Sequence, residues 1–204
     1  MITIYQLKPR FQGLLRPLVV RLARAGVTAN AVTLAAMFVS LALGALLLAA
    51  PSRALFLLLP AWMFLRMAFN AVDGMLAREF DQKSALGAYL NELSDVVSDA
   101  ALYLPFVAVA PFGWGGVGSV IFLAGLSEMT GALGPMIGAE RRYDGPMGKS
   151  DRAFVFGALG LAVGLTSALP DWLFWLMPAV AAAIALNIAN RIRSGVAQAK
   201  ERAK

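Results

Sequence analysis

Residues 31–50 carry no charged side chain, and apolar stretches of similar length recur along the rest of the chain. A hydrocarbon core needs roughly 20 apolar residues per crossing helix. No water is available there for an unpaired N–H or C=O, so each run must close its own backbone hydrogen bonds as a helix. Six such runs, at about 31–50, 54–72 with a helical continuation to 78, 85–110, 117–139, 153–169 and 172–189, take up most of the 204 residues. The expected fold is an all-α integral membrane protein with six transmembrane helices. A composition of 59% hydrophobic and 15% charged residues excludes an ordinary soluble domain of this length.

Ahead of the first run, Leu7, Phe11, Leu14, Leu15, Leu18 and Leu22 interleave with Lys8, Arg10, Arg16, Arg21 and Arg24. That pattern predicts an N-terminal amphipathic interfacial helix lying on an anionic surface. Residues 1–10 lack the basic start, short apolar core and small-residue cleavage site of a secretory signal, and read as part of the mature chain. Three segments follow: an amphipathic juxtamembrane segment at 1–27, a six-helix transmembrane domain at 28–192 and a basic cytoplasmic tail at 193–204. No internal repeat interrupts them.

The amino-terminal segment, the links at 78–84 and 140–152, and the stretch from 190 to the end hold all but two of the 18 Lys and Arg residues. With six spans these segments share one face, and the positive-inside bias makes it cytoplasmic. Both termini are then expected in the cytoplasm, with the chain multi-pass in the plasma (inner) membrane. Of the remaining cations, Arg53 lies in a loop on the opposite side and Arg66 inside the second span. The net charge of +6 therefore reports orientation, and no nucleic-acid partner is expected.

The chain contains no Cys and no His. Disulfides, thiolate nucleophiles, imidazole bases and the usual zinc ligands are excluded together, leaving chemistry to carboxylates, amides, hydroxyls, Arg and Lys. Ionisable groups within a bilayer are expensive, and spans two and three carry most of them. Asn70 and Asp73 share a helical face by spacing, as do Asn91 and Asp95. Antiparallel packing across the short polar link would bring these four oxygen-bearing side chains together near the cytoplasmic interface. Gly74, Ala77 and Gly87 leave open space beside them, and Arg78 adds a cation at the water edge. Oxygen donors of this kind suit a hard cation such as Mg²⁺, Mn²⁺ or Ca²⁺, and small neighbours suit a bulky phosphorylated ligand. The competing reading is that the polar groups only join two helices, as they do in many membrane bundles.

The run Asn70-Ala71-Val72-Asp73-Gly74-Met75-Leu76-Ala77-Arg78, followed at matching intervals by Gly87, Asn91 and Asp95, resembles the signature of the CDP-alcohol phosphotransferase (CDP-alcohol phosphatidyltransferase) family, D-x-x-D-G-x-x-A-R-x8-G-x-x-x-D-x-x-x-D. The resemblance implies a six-helix fold, usually a homodimer. It also implies transfer of a substituted phosphate from CDP-diacylglycerol or another CDP-alcohol to an alcohol acceptor, with release of CMP, in phospholipid biosynthesis. Carried over by position, Asn70, Asp73, Asn91 and Asp95 would be metal ligands for Mg²⁺ or Mn²⁺. Asp95 would be ligand or general base, while Gly74, Ala77, Arg78 and Gly87 would border the substrate.

Asn70 and Asn91 depart from the pattern, which has Asp at both positions. An amide oxygen still coordinates a hard cation, but two negative charges are lost, which puts a firmly held metal pair in doubt. Glu92 partly restores charge, although it projects about 100° around the helix from Asn91. A divergent subgroup with altered metal binding or acceptor is expected. The alternatives to a transferase are a non-catalytic CDP-lipid-binding membrane protein that kept the pocket, and a small transporter. Neither broken helices nor matching halves point to the transporter.

Arg141, Arg142, Lys149 and Arg152 are read either as a dock for a phosphorylated acceptor or lipid headgroup, or as a solvated loop. Glu128 is expected against a polar partner in the bundle, and Asn187 and Asn190 as contacts between helices. Arg66 and Asp99 are expected at similar depth on facing helices, where each relieves the other's burial.

Overall fold

The structure, a computed structural model, describes residues 4–50 and 52–203, with side-chain surroundings from Phe11 onward. Its described residues form helices α1 (Ile4–Arg24), α2 (Ala29–Ala49), α3 (Arg53–Phe56), α4 (Leu58–Glu79), α5 (Ala85–Tyr103), α6 (Gly113–Ala132), α7 (Lys149–Leu165) and α8 (Leu176–Arg202). Short 3₁₀ turns at Leu104–Ala108, Gly134–Ile137 and Asp171–Trp175 extend α5, extend α6 and precede α8. The stretches Ala29–Ala49, Arg53–Glu79 and Asp171–Arg202 are long and apolar enough to cross a membrane.

Local chemistry sets several of these boundaries. Thr28 caps α2 by accepting a hydrogen bond from the Ala31 N–H at 3.1 Å, and Ser84 caps α5 through the Gly87 N–H at 3.0 Å. Both satisfy a donor that the first helical turn leaves open. Asp151 accepts from the Gly148 N–H at 3.0 Å, so α7 begins at Lys149, ahead of the apolar run that predicts a start near 153. The third run is expected as helix to 110, but α5 ends at Tyr103. Pro105, in the 3₁₀ turn that follows, has no N–H for the α-helical ladder. At the other end of the chain, α8 continues through the basic residues to Arg202.

α2 packs against α4 and α5, α6 against α8, and α4 against α7. Gly44 marks the tightest of these approaches: a Cβ there would run into the Ala101 carbonyl of α5. The main core gathers Leu59, Leu102, Tyr103, Phe106, Phe156 and Met177, with the Tyr103 and Phe156 rings stacked at 3.7 Å between centroids. A smaller cluster of Val19, Val72, Met75 and Leu76 seats α1 against the end of α4. Outside, Phe38, Phe64, Phe122 and Phe154 are all more than half exposed, an apolar surface that suits lipid rather than water.

Candidate functional site

The direct antiparallel packing expected of α4 and α5 is not what brings their residues together: each packs on α2 rather than on the other. The carboxyl-terminal half of α4 and the amino-terminal half of α5, joined by the link at 80–84, line one cleft of about 1060 Å³. Every residue singled out from the signature lines it: Asn70, Asp73, Gly74, Ala77 and Arg78 from α4, and Gly87, Asn91 and Asp95 from α5. Gln82 holds the link in place. Its Oε1 accepts from the Ala29 N–H at 2.7 Å, which ties the link to the start of α2.

Asp73 is 4% exposed, and its Oδ2 accepts a hydrogen bond from the Thr33 hydroxyl of α2 at 2.8 Å. Asp95 is also buried, and its carboxylate meets two cations, the Lys149 ammonium of α7 and Arg66 Nη2 of α4 at 3.4 Å. Arg66 Nη2 also donates to the Asp95 backbone oxygen at 3.1 Å. Asn70 and Asn91 are half-buried, and among the described residues neither side-chain amide makes a hydrogen bond within the protein. Their oxygens stay available to a ligand.

Beneath the cleft lies a buried ionic network. Arg66 Nη1 donates to Asp99 Oδ1 at 2.5 Å, the contact expected from their matching depths. Asp99 Oδ2 accepts from Arg152 Nη2 at 3.1 Å, and the same nitrogen donates to Glu128 Oε1 at 3.0 Å. One guanidinium thus joins α7 to α5 and α6. Arg152 is 0% exposed, which overturns both sequence readings of it, a solvated loop residue and a dock for a ligand. The early start of α7 carries it into the bundle. Glu128 has further neighbours in Arg141 Nη2 at 3.2 Å and Arg191 Nη1 at 3.8 Å.

Glu92 turns away from the signature residues and meets Arg141, whose Nε and Nη2 donate to its two oxygens at 2.5 and 2.6 Å. Burial alone lowers the tendency of Arg141 to hold its proton, but the hydrogen bonds and charge of Glu92 outweigh it and leave the guanidinium more basic than usual. Arg141 also lies over the Tyr143 ring at 4.4 Å. Asn187 joins elements as expected, accepting from the Ser127 hydroxyl at 2.8 Å and donating to the Asp144 carbonyl at 2.9 Å.

Sequence reasoning missed Thr33 and Arg191. A lone Thr in an apolar span carries no signal by itself. Arg191, four residues after Asn187 and thus on the same helical face, was legible as buried rather than as part of a solvated tail.

Two carboxylates and two amide oxygens lining the same cleft offer an all-oxygen donor set of the kind that fits a hard divalent cation. It is a weak cage, because among the described residues no three Asp, Glu, His or Cys side chains converge.

A family model described as CDP-alcohol phosphatidyltransferase matches residues 26–186. The chain is 49% identical over 195 residues to the Escherichia coli inner membrane protein YnbA, covering 94% of this chain and 96% of that one. Among solved structures, it resembles Mycobacterium tuberculosis phosphatidylinositol phosphate synthase (PgsA1) with CDP-DAG bound. That match has a TM-score of 0.70 and 20% identity over 88% of this chain and 92% of the other. The same synthase in complex with manganese and citrate aligns with a TM-score of 0.64 and 20% identity over 88% and 87%. At that identity the likeness is one of fold.

Proposed function

Since the chain belongs to the CDP-alcohol phosphatidyltransferase family and is an enzyme of that class, we propose that it moves the phosphatidyl group of CDP-diacylglycerol onto an alcohol and releases CMP. The observation that carries this reading is the convergence of Asn70, Asp73, Gly74, Ala77, Arg78, Gly87, Asn91 and Asp95 on one cleft. The synthase with CDP-DAG bound shares the fold, which supports a CDP-lipid as the donor.

Each residue has a part in the reaction. Gly74 and Ala77 let the nucleotide approach the α4 backbone, and Gly87 does the same on α5. Arg78 faces the diphosphate. Asp95 accepts the proton of the acceptor hydroxyl as its oxygen attacks the lipid-bearing phosphorus. The bond from that phosphorus to the bridging oxygen breaks, and CMP leaves with the electron pair. Asn70, Asp73, Asn91 and Asp95 would hold a divalent cation, Mg²⁺ or Mn²⁺, which when bound neutralises charge on the diphosphate. Thr33 fixes the rotamer of Asp73, and Lys149 and Arg66 fix that of Asp95.

We further infer six membrane spans with both termini cytoplasmic, α1 lying at the membrane surface, and a homodimer in the inner membrane. The likeness to YnbA, an inner membrane protein, and the one-sided distribution of cations support that placement. Purified protein given CDP-diacylglycerol, Mg²⁺ or Mn²⁺ and a panel of alcohols should release CMP in a metal- and alcohol-dependent way. If no alcohol elicits CMP while CDP-diacylglycerol still binds, the chain is a non-catalytic CDP-lipid-binding protein instead.

A further inference from the structure

The cations lining the cleft fall into two groups. On the α4 side, Arg78 and Lys83 are exposed and make no ion pair among the described residues. Arg78 folds back over Gly74, where a Cβ would lie 3.0 Å from its Nη1, so its guanidinium faces the stretch of backbone kept bare for the donor. Across the cleft the cations come from other elements, and each is already engaged. Arg141 is held bidentately by Glu92 and touches Glu128. Lys149 sits on Asp95. Arg191 donates to the Ser127 carbonyl at 2.5 Å and lies 3.8 Å from Glu128. Just behind, Arg142 grips Asp144 with bonds of 2.7 and 2.9 Å.

This division bears on the acceptor, which has to approach from the side opposite the donor for its hydroxyl to reach the phosphorus. From it we propose that the acceptor alcohol carries no phosphate of its own, an inference that rests on the transferase reading above. A phosphomonoester would bring about two negative charges at neutral pH. It would gain the Nε–Nη2 fork of Arg141 only by displacing Glu92, and Arg191 only beside Glu128. Either exchange replaces one anion with another and leaves a carboxylate stranded in a partly buried cleft, which is unfavourable. A plain hydroxyl asks for much less, since Asp95 accepts its proton and no cation has to be freed. Glu92 is thus a specificity residue: it keeps the bidentate Nε–Nη2 edge of Arg141 closed to anions.

Two measurements on the purified wild-type protein and on Glu92→Gln test this. Glu92 is only half-buried, so its amide variant should fold. In the first, CMP release from CDP-diacylglycerol is compared for glycerol against sn-glycerol 3-phosphate and for inositol against inositol 1-phosphate. The wild type should favour the unphosphorylated member of each pair by at least about tenfold in kcat/KM, the scale of one charge-assisted hydrogen bond. Glu92→Gln should narrow that preference. In the second, thermal shift is followed while sn-glycerol 3-phosphate is titrated without CDP-diacylglycerol, so the result does not depend on turnover. Saturable stabilisation of Glu92→Gln alone supports the proposal. Saturable stabilisation of the wild type, equal indifference of both proteins, or wild-type preference for a phosphorylated acceptor would overturn it. Loss of CMP release with every alcohol defeats the transferase reading, and the binding titration still decides whether Glu92 closes Arg141.

Discussion

Asp73 and Asp95 are the two carboxylates left at the four acidic positions of the family signature, and they are held in different ways. A neutral hydroxyl holds Asp73, whereas Lys149 and Arg66 both hold Asp95. Asp73→Asn and Asp95→Asn should each lower CMP release at saturating Mg²⁺ or Mn²⁺ by about 100-fold or more. Near-normal turnover of either variant would remove its assigned role. The Arg66 and Asp99 pair was legible from depth alone, but Arg152 on the other Asp99 oxygen was not, because the chain around it reads as a polar loop. That third partner makes the two single replacements unequal. Arg66→Ala strands Asp99 only in part, since Arg152 remains. Asp99→Leu takes a partner from two buried guanidiniums, and should be the more destabilising, toward the upper end of the about 3–5 kcal/mol seen when a buried pair is broken. Replacing Arg66 with Met and Asp99 with Leu together should recover only part of the loss, because Arg152 keeps Glu128 alone. Thermal unfolding of the three variants checks the order, and full recovery in the double variant would mean that Arg152 draws nothing from Asp99.

At the scale of elements, the cleft depends on how closely α2 approaches α5. α2 carries Thr33 to Asp73 and Gly44 to the Ala101 carbonyl, so one helix both orients a site carboxylate and sets the spacing of the helix bearing Asp95. Gly44→Ala puts a methyl group into α5 backbone, and overpacking of that kind is destabilising by about 1–3 kcal/mol. The expected result is a lower melting temperature together with weaker CMP release, because α5 can yield only by moving Asp95. An unchanged melting temperature would show that the two helices have slack. The existence of these helices was legible because apolar runs of span length have few alternatives in a bilayer. Their ends were not. Pro105 stops α5 well before the apolar run does, and the Asp151 side chain starts α7 ahead of its own run. Hydropathy reports the solvent a segment prefers, whereas caps and proline decide where a helix begins and stops. The site was legible for a related reason: eight of its residues lie on two consecutive helices at fixed spacings, while Thr33, Lys149 and Arg191 reach it from elsewhere through tertiary packing.

For the whole molecule, the expected arrangement in the membrane puts the cleft at the cytoplasmic end of the bundle. The cations of the 80–84 and 140–152 links gather around that cleft, which is where a water-soluble leaving group such as CMP has to depart. Trp114, Trp172 and Trp175 are about 70% exposed and follow the opposite set of turns, as rings anchored at the far interface would. The chain has no Cys, so single introduced cysteines report on sidedness without background. Gly115 is exposed, with nothing within 4 Å of the point where a Cβ would attach, and Lys200 is exposed near the end of α8, so both should accept Cys without disturbing the fold. In intact cells a membrane-impermeant maleimide should label Gly115→Cys, after passage through the outer permeability layers, and should leave Lys200→Cys untouched until the membrane is opened. Labelling of both from one side would require an odd number of crossings to be lost between them. The six-span arrangement would then fail, and the cytoplasmic placement of the cleft with it, since that placement follows from the positions of the links relative to the termini.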